Sequence, residues 1–239
     1  PLAPRGDRHD GARRAGTAPR RPGRARGHDV GRLALTLGAL GIGPDTQVVA
    51  YDDAGGMFAA RAWWLLRWLG HEAVAVLDGG VQAWQAAGGA LEAATPARGH
   101  GGFLLRPTLE ATLNADQLLA LLATPTLRLI DARAANRFAG QDETLDPVGG
   151  HIPGARNRFF QLNLDTDGRF KPAAALRAEW LTCLDGQPAG AAIHQCGSGV
   201  TACHNLLALA HAGLGGGRLY PGSWSEWCAN PARPVATGA

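Results

Sequence analysis

Cysteine is scarce in this chain: four residues in 239, no two of them in C-x-x-C spacing. So few do not build a disulfide framework at this length, and a reducing compartment, the cytoplasm, is the expectation. The spacing also argues against a metal site. No apolar run approaches the length needed to cross a bilayer, and the chain opens without a charged-then-apolar leader. No membrane partner is therefore expected. Lysine is almost missing too, with Lys171 the single copy.

What is present is globular in kind, with 46% hydrophobic and 18% charged residues. The net charge of +3 is unevenly placed. Residues 1–30 carry eight arginines against three aspartates, a balance of +5, and the other 209 residues carry −2. The body therefore offers no electrostatic reason to bind nucleic acid. Residues 1–30 are mostly Arg, Gly, Ala and Pro, with Leu2 and Val30 their only large apolar side chains. Such a segment buries too little surface to order itself, so a disordered basic tail is expected. It is either a flexible arm or a mis-framed piece of a GC-rich gene; the arginine-rich, lysine-poor body suits the second.

From about Gly31 strands and helices alternate. Gln47–Tyr51 and Ala73–Leu77 read as strands, and Met57–Leu69 and Val81–Ala87 as helices. Residues 95–107 shift to Gly, Arg and Pro, the mark of a linker. Beyond it, Asn114 is placed to cap a helix over 115–122, and Leu127–Asp131 reads as a strand. Pro172 suits the start of a helix reaching Leu184. The expectation is an α/β fold with mostly parallel sheets flanked by helices.

The most informative segment is Ile193-His194-Gln195-Cys196-Gly197-Ser198-Gly199-Val200-Thr201. A strand ends at a cysteine, a small-residue turn follows, and an apolar helix begins at Val200. This would set a sulfur among backbone N–H groups at the positive end of a helix, a setting that favours a thiolate. Gly197 and Gly199 remove side chains that would block an anion from the backbone. Cys183, Cys203 and Cys228 lack such a turn and read as packed thiols. Cys196 is the expected nucleophile.

The two halves repeat. Val48-Val49-Ala50-Tyr51-Asp52 leads through a helix to Leu77-Asp78-Gly79-Gly80 and Trp84. Ile193-His194-Gln195-Cys196 leads through a helix to Tyr220-Pro221-Gly222-Ser223 and Trp227. Asp52 stands where the second copy has Cys196, and a carboxylate cannot do thiolate chemistry. The first copy is expected to be silent.

These motifs, with Asp131-Ala132-Arg133, Arg137-Phe138 and Gly150-His151-Ile152-Pro153-Gly154-Ala155, resemble the tandem-domain rhodanese-like sulfurtransferases over about Gly38 to Trp227. Ala60-Arg61-Ala62-Trp63-Trp64 resembles the silent-domain counterpart. The resemblance implies two rhodanese-like domains, the first incomplete. It divides the chain into the tail 1–30, a partial inactive domain 31–94, a linker 95–110 and a catalytic domain 111–232. It implies sulfur transfer through a Cys196 persulfide, without metal or organic cofactor, from a small-molecule donor to a thiol such as thioredoxin or a small thiol, or to cyanide. Cys196-Gly197-Ser198-Gly199-Val200-Thr201 is similar to the loop of members preferring 3-mercaptopyruvate, not to the cationic C-R-K-G-V-T of thiosulfate-preferring ones. By the same resemblance Arg133 and Arg137 bind the donor carboxylate. In the mechanism expected from the loop, the N–H groups of Gly197, Gly199, Val200 and Thr201 cradle the anionic sulfur, and Ser198 donates or relays a proton.

His151 is expected to fix the proline turn and His194 to be a packed neutral histidine. Mercaptopyruvate enzymes take an Asp and a His from the first half for a proton relay, and nothing before Gly31 matches beyond the adjacent His28 and Asp29. The other readings are thiosulfate:cyanide transfer and a non-catalytic binding remnant. A phosphatase of the C-x5-R kind is disfavoured, because Ala202 stands where the arginine belongs.

Overall fold

The computed structural model describes residues 29–93 and 99–238. The expected tail lies outside them except for its last two residues, as does part of the linker. Asp29 opens the described chain as a helix cap, accepting from the Arg32 N–H at 3.1 Å ahead of α1 (Val30–Ala39). That contact accounts for Asp29 without a catalytic role.

The first half is small. Strands β1 (Val48–Ala50) and β2 (Val74–Val76) pair in parallel, joined through α2 (Met57–Trp68) and followed by α3 (Gly80–Ala86). Neither strand has a second neighbour among the described residues, and Val49 and Tyr51 are exposed. Among the described residues the first sheet has these two strands.

The second half is a five-stranded parallel sheet in the order β3 (Ala111–Thr112), β7 (Arg218–Leu219), β6 (Ile193–Gln195), β4 (Leu129–Asp131), β5 (Ala155–Asn157). Helices α4 (Ala115–Leu121), α5 (Ala135–Ala139), α6 (Ala173–Leu184), α7 (Thr201–His211) and α8 (Ser223–Trp227) surround it. Every residue of β4 and β6 is buried, as central parallel strands covered on both faces should be. Successive residues serve opposite faces. Leu129 and Ile193 join Leu118, Tyr220, Trp224 and Trp227 on one side. Ile130 joins Leu176, Trp180, Leu184 and Leu209 on the other.

Asn114 starts α4 as expected. Its side chain accepts from the Gln117 N–H at 2.9 Å, and Gln117 returns the bond to the Asn114 N–H, a reciprocal capping box. Three short elements have weak local signals. β5 begins at the last residue of the His151–Ala155 proline turn, α5 has no capping side chain, and β3 is two residues long. Each exists through its neighbours rather than through local pattern.

The halves meet where α2 packs on α7. Trp63 and Trp64 of α2 share one buried cluster with Cys196, Cys203, Leu206 and Phe160. The first copy therefore forms a wall behind the cysteine loop.

Candidate active site

β6 sits between β4 and β7, so Cys196 lies at the carboxyl end of an inner strand, the usual place for a site in a parallel sheet. The residue is 2% exposed. The loop after it is held from behind. The Cys196 carbonyl accepts from the Trp224 N–H at 2.9 Å, and the Gly197 carbonyl accepts from the Ser225 N–H at 2.9 Å. The Gly199 carbonyl accepts from Arg61 Nη1 at 3.2 Å and from the Cys203 thiol at 3.3 Å. In a trans peptide the N–H points opposite to the carbonyl. The N–H groups of Gly197, Ser198 and Val200 are therefore turned to the other side of the loop. Among the described residues none of them has a protein acceptor. The Cys196 N–H itself donates to Ser223 Oγ at 3.1 Å, and that hydroxyl donates to the Tyr220 carbonyl at 2.9 Å.

Gly199 has φ +78°, and a Cβ added there would lie 2.6 Å from the Pro221 carbonyl oxygen. The loop thus requires glycine at this position on two counts.

The first copy shows what such a loop binds. In register, Asp52 matches Cys196, Gly55 matches Gly199, and Met57 at the start of α2 matches Thr201 at the start of α7. The Asp52 carboxylate accepts from the N–H groups of Ala54, Gly56, Phe58 and Ala59 at 2.8–2.9 Å. Burial pushes this carboxyl up, but the donors at Ala59, Ala54, Gly56 and Phe58 outweigh it and hold it below the ordinary aspartate value. Ala54 and Gly56 correspond to Ser198 and Val200. The first-copy loop is an anion cradle filled by its own carboxylate; the Cys196 loop has the same form, with the N–H groups of Ser198 and Val200 free among the described residues and that of Cys203 turned to the Val200 carbonyl.

The two arginines divide. Arg137 is part-exposed, and a Cβ added to Gly197 would lie 3.7 Å from its Nη1, so it stands beside the loop. It is gripped by Glu143 at 2.8–3.1 Å, with Asp146 at 3.5 Å. Burial raises the Glu143 carboxyl, but Arg137 and the N–H groups of Leu145 and Asp146 hold it below the usual range. Arg133 has a 1% exposed side chain. Its guanidinium forks onto Asp131 at 2.7–3.1 Å, bonds the Gly150 carbonyl at 2.7 Å and lies over Trp224. The sequence groups these arginines together. The structure sets only Arg137 at the open side, because Asp131, two residues before Arg133, turns that guanidinium into the protein.

Ser198 is exposed on the loop, and Val200 and Thr201 begin α7 beneath it. His151 bonds the Phe138 carbonyl at 2.9 Å and stacks on the Phe138 ring, a turn-fixing role. His194 is fully buried against Trp180, and burial pushes it down to about 3, so it is neutral. Burial raises the other thiols: Cys203 to about 12, Cys228 to about 11, and Cys183 upward. Three contacts had no readable signal: Glu143 and Asp146 from an irregular loop, and Arg61 from the other half. Ser223 lay in the closing Gly222-Ser223-x-x-x-Trp227 motif, but its bond to Cys196 was not foreseen. A cavity of about 250 Å3 opens in the seam near Trp63, Arg67 and Arg218, and a groove of about 510 Å3 runs beside Phe138 and Arg156; neither includes Cys196.

The family model described as the rhodanese-like domain matches residues 10–87 and 114–230. The first match starts inside the segment read as a tail. The chain is 52% identical over 211 residues to a Pseudomonas aeruginosa protein named "Probable 3-mercaptopyruvate sulfurtransferase", covering 88% of this chain and 74% of that one. The crystal structure of an Escherichia coli 3-mercaptopyruvate sulfotransferase superposes with a TM-score of 0.69 at 35% identity, covering 82% of this chain and 73% of the other. An anaerobic ergothioneine biosynthesis enzyme from Chlorobium limicola has a TM-score of 0.77 at 22% identity, a likeness of fold alone. It covers 88% of this chain, which spans 55% of that longer one. The chain belongs to the rhodanese-like family. Within it, the paired matches and these relatives place it among the tandem-domain sulfurtransferases.

Proposed function

We propose that this enzyme moves sulfur from 3-mercaptopyruvate to a thiol acceptor through a persulfide on Cys196. The observation that carries this reading is the loop itself: a cysteine at a strand end, N–H groups without partners in front of it, and Arg137 alongside.

Arg137 binds the donor carboxylate through the donors Glu143 leaves free, and Glu143 keeps the guanidinium in place. Arg133 acts behind it, fixing Asp131 and the Gly150 turn. The Cys196 thiolate attacks the donor sulfur, and the carbon–sulfur bond breaks with its electron pair going to carbon. The leaving enolate takes the donor's thiol proton, relayed by Ser198, and departs as pyruvate. The anionic outer sulfur rests on the N–H groups of residues 197–201. An acceptor thiolate then attacks that sulfur, leaves as its own persulfide and returns the Cys196 thiolate. A small thiol or thioredoxin, in the cytoplasm, fits this second step. The loop carries no cationic side chain for a sulfonate-like dianion, which supports mercaptopyruvate over thiosulfate.

The test is product release from purified protein with each donor, using Cys196→Ser as control. Cysteine-dependent pyruvate release exceeding thiosulfate turnover is expected. Faster turnover of thiosulfate would overturn the donor assignment, and no turnover in folded protein would support a non-catalytic remnant.

A further inference from the structure

The two halves exchange hydrogen bonds at matching carbonyls. The carbonyl of Gly199 in the cysteine loop accepts from Arg61 of α2, at 3.2 Å. The matching carbonyl of Gly55 in the silent loop meets His204 Nε2 of α7, at 3.1 Å. Each loop is thus held by a side chain from the other copy's helix. The two side chains are not chemically equal. His204 is stacked on Phe170, its Nδ1 faces Asn163, and burial pushes its pKa down to about 4. It is a neutral donor. Arg61 carries a permanent charge, lies over the Trp64 ring and reaches Cys203 Sγ at 3.4 Å.

The charge is distributed to suit the two loops. The Asp52 carboxylate already fills the silent cradle, held by four N–H groups, and needs no cation beneath it. The cysteine loop faces a negative charge that comes and goes: thiolate, outer sulfur, donor. We propose that Arg61 is a positioning residue of the active site, supplied by the silent half. It fixes the Gly199–Val200 peptide with its N–H toward the sulfur and places a positive charge behind the anion cradle. This rests on Cys196 being the nucleophile, but not on the identity of the donor. It gives the first copy a part in the chemistry: without α2, the peptide that completes the cradle has no charged anchor.

The test compares alkylation of Cys196 by iodoacetate, an anion, and iodoacetamide, its neutral counterpart, in the full chain, reading the Cys196 peptide by mass. A loop that is merely loosened changes both rates together; a lost anion cradle lowers the iodoacetate rate selectively. In Arg61→Met the iodoacetate-to-iodoacetamide ratio is expected to fall roughly tenfold, the scale of one charge-assisted hydrogen bond. Arg61→Lys is expected to recover most of it. Should Arg61→Met fail to fold, Arg61→Gln, which keeps a donor and loses the charge, carries the same comparison. An unchanged ratio in a folded neutral variant overturns the proposal. Alkylation needs no sulfur donor, so failure of the mercaptopyruvate reading would show as absent pyruvate release with the ratio and its Arg61 dependence intact.

Discussion

Arg137 and Arg133 show how one residue's neighbours decide its task. Both are arginines near a strand end, yet Arg133 is spent on Asp131 while Arg137 keeps an open side. Arg137→Gln is expected to raise KM for 3-mercaptopyruvate by roughly tenfold or more with a smaller change in kcat, since a carboxylate anchor is used before and during the chemistry. Steady-state kinetics on pyruvate release check this. Arg133→Gln is expected instead to lower thermal stability, by about 3 kcal/mol or more, because it leaves the buried Asp131 without its partner. Acid has a defined effect. Glu143 and Glu179 sit below the ordinary glutamate value of 4.5, since Arg137 in one case, and Lys171 and Arg158 in the other, outweigh burial. A lowered carboxyl contributes stability above the unfolded value and loses it as pH falls through the folded one. Urea midpoints are therefore expected to decline below about pH 4.5, and less steeply in Glu143→Gln. A pH-independent midpoint there would remove these pairs from the account.

Among the elements, the cysteine loop depends on Gly199 more than on any capping side chain. Gly199→Ala forces a positive φ and a clash with the Pro221 carbonyl, and is expected to cost about 1–3 kcal/mol and most of the activity. Asn114→Ala removes a capping box far from the site and is expected to cost about 1 kcal/mol with activity unchanged. Chemical denaturation with parallel assays separates the two. These elements also mark what the sequence could tell. Strands at 48–50, 74–76, 129–131 and 193–195 were legible because buried parallel strands are continuous apolar runs between turn signals. The turn at Cys196 was legible because Gly197 and Gly199 follow it between a strand and a helix. β5 was not, since Ala155-Arg156-Asn157 becomes a strand only by pairing with Leu129-Ile130-Asp131. Glu143 was not, because its meaning is the contact with Arg137 across an irregular loop. Nothing in the Ala60–Trp64 motif announced that Arg61 reaches Gly199; that required α2 to lie on α7.

At the scale of the molecule, the seam between the copies is part of the core. Trp63 and Trp64 pack with Cys203, Leu206 and Phe160, and Phe170 N–H donates to Asp78 across the same boundary at 2.8 Å. Trp64→Ala is expected to cost about 3–5 kcal/mol and to lower the stability of both halves together. Calorimetry checks this: one shared transition is expected, and two separable ones would show that the copies unfold independently. Internal duplication has left one loop with a carboxylate locked in its cradle and one with a thiol in the same place. The comparison between them, within a single chain, is the strongest physical support for reading the Cys196 loop as an anion cradle.

The most direct measurement is the intact mass of the protein after brief exposure to 3-mercaptopyruvate without acceptor, followed by peptide mapping. The gain of one sulfur atom is expected, located on the Cys196 peptide, absent in Cys196→Ser and discharged by an added thiol. Pyruvate release with no mass gain at Cys196, or with the sulfur on another cysteine, would contradict it.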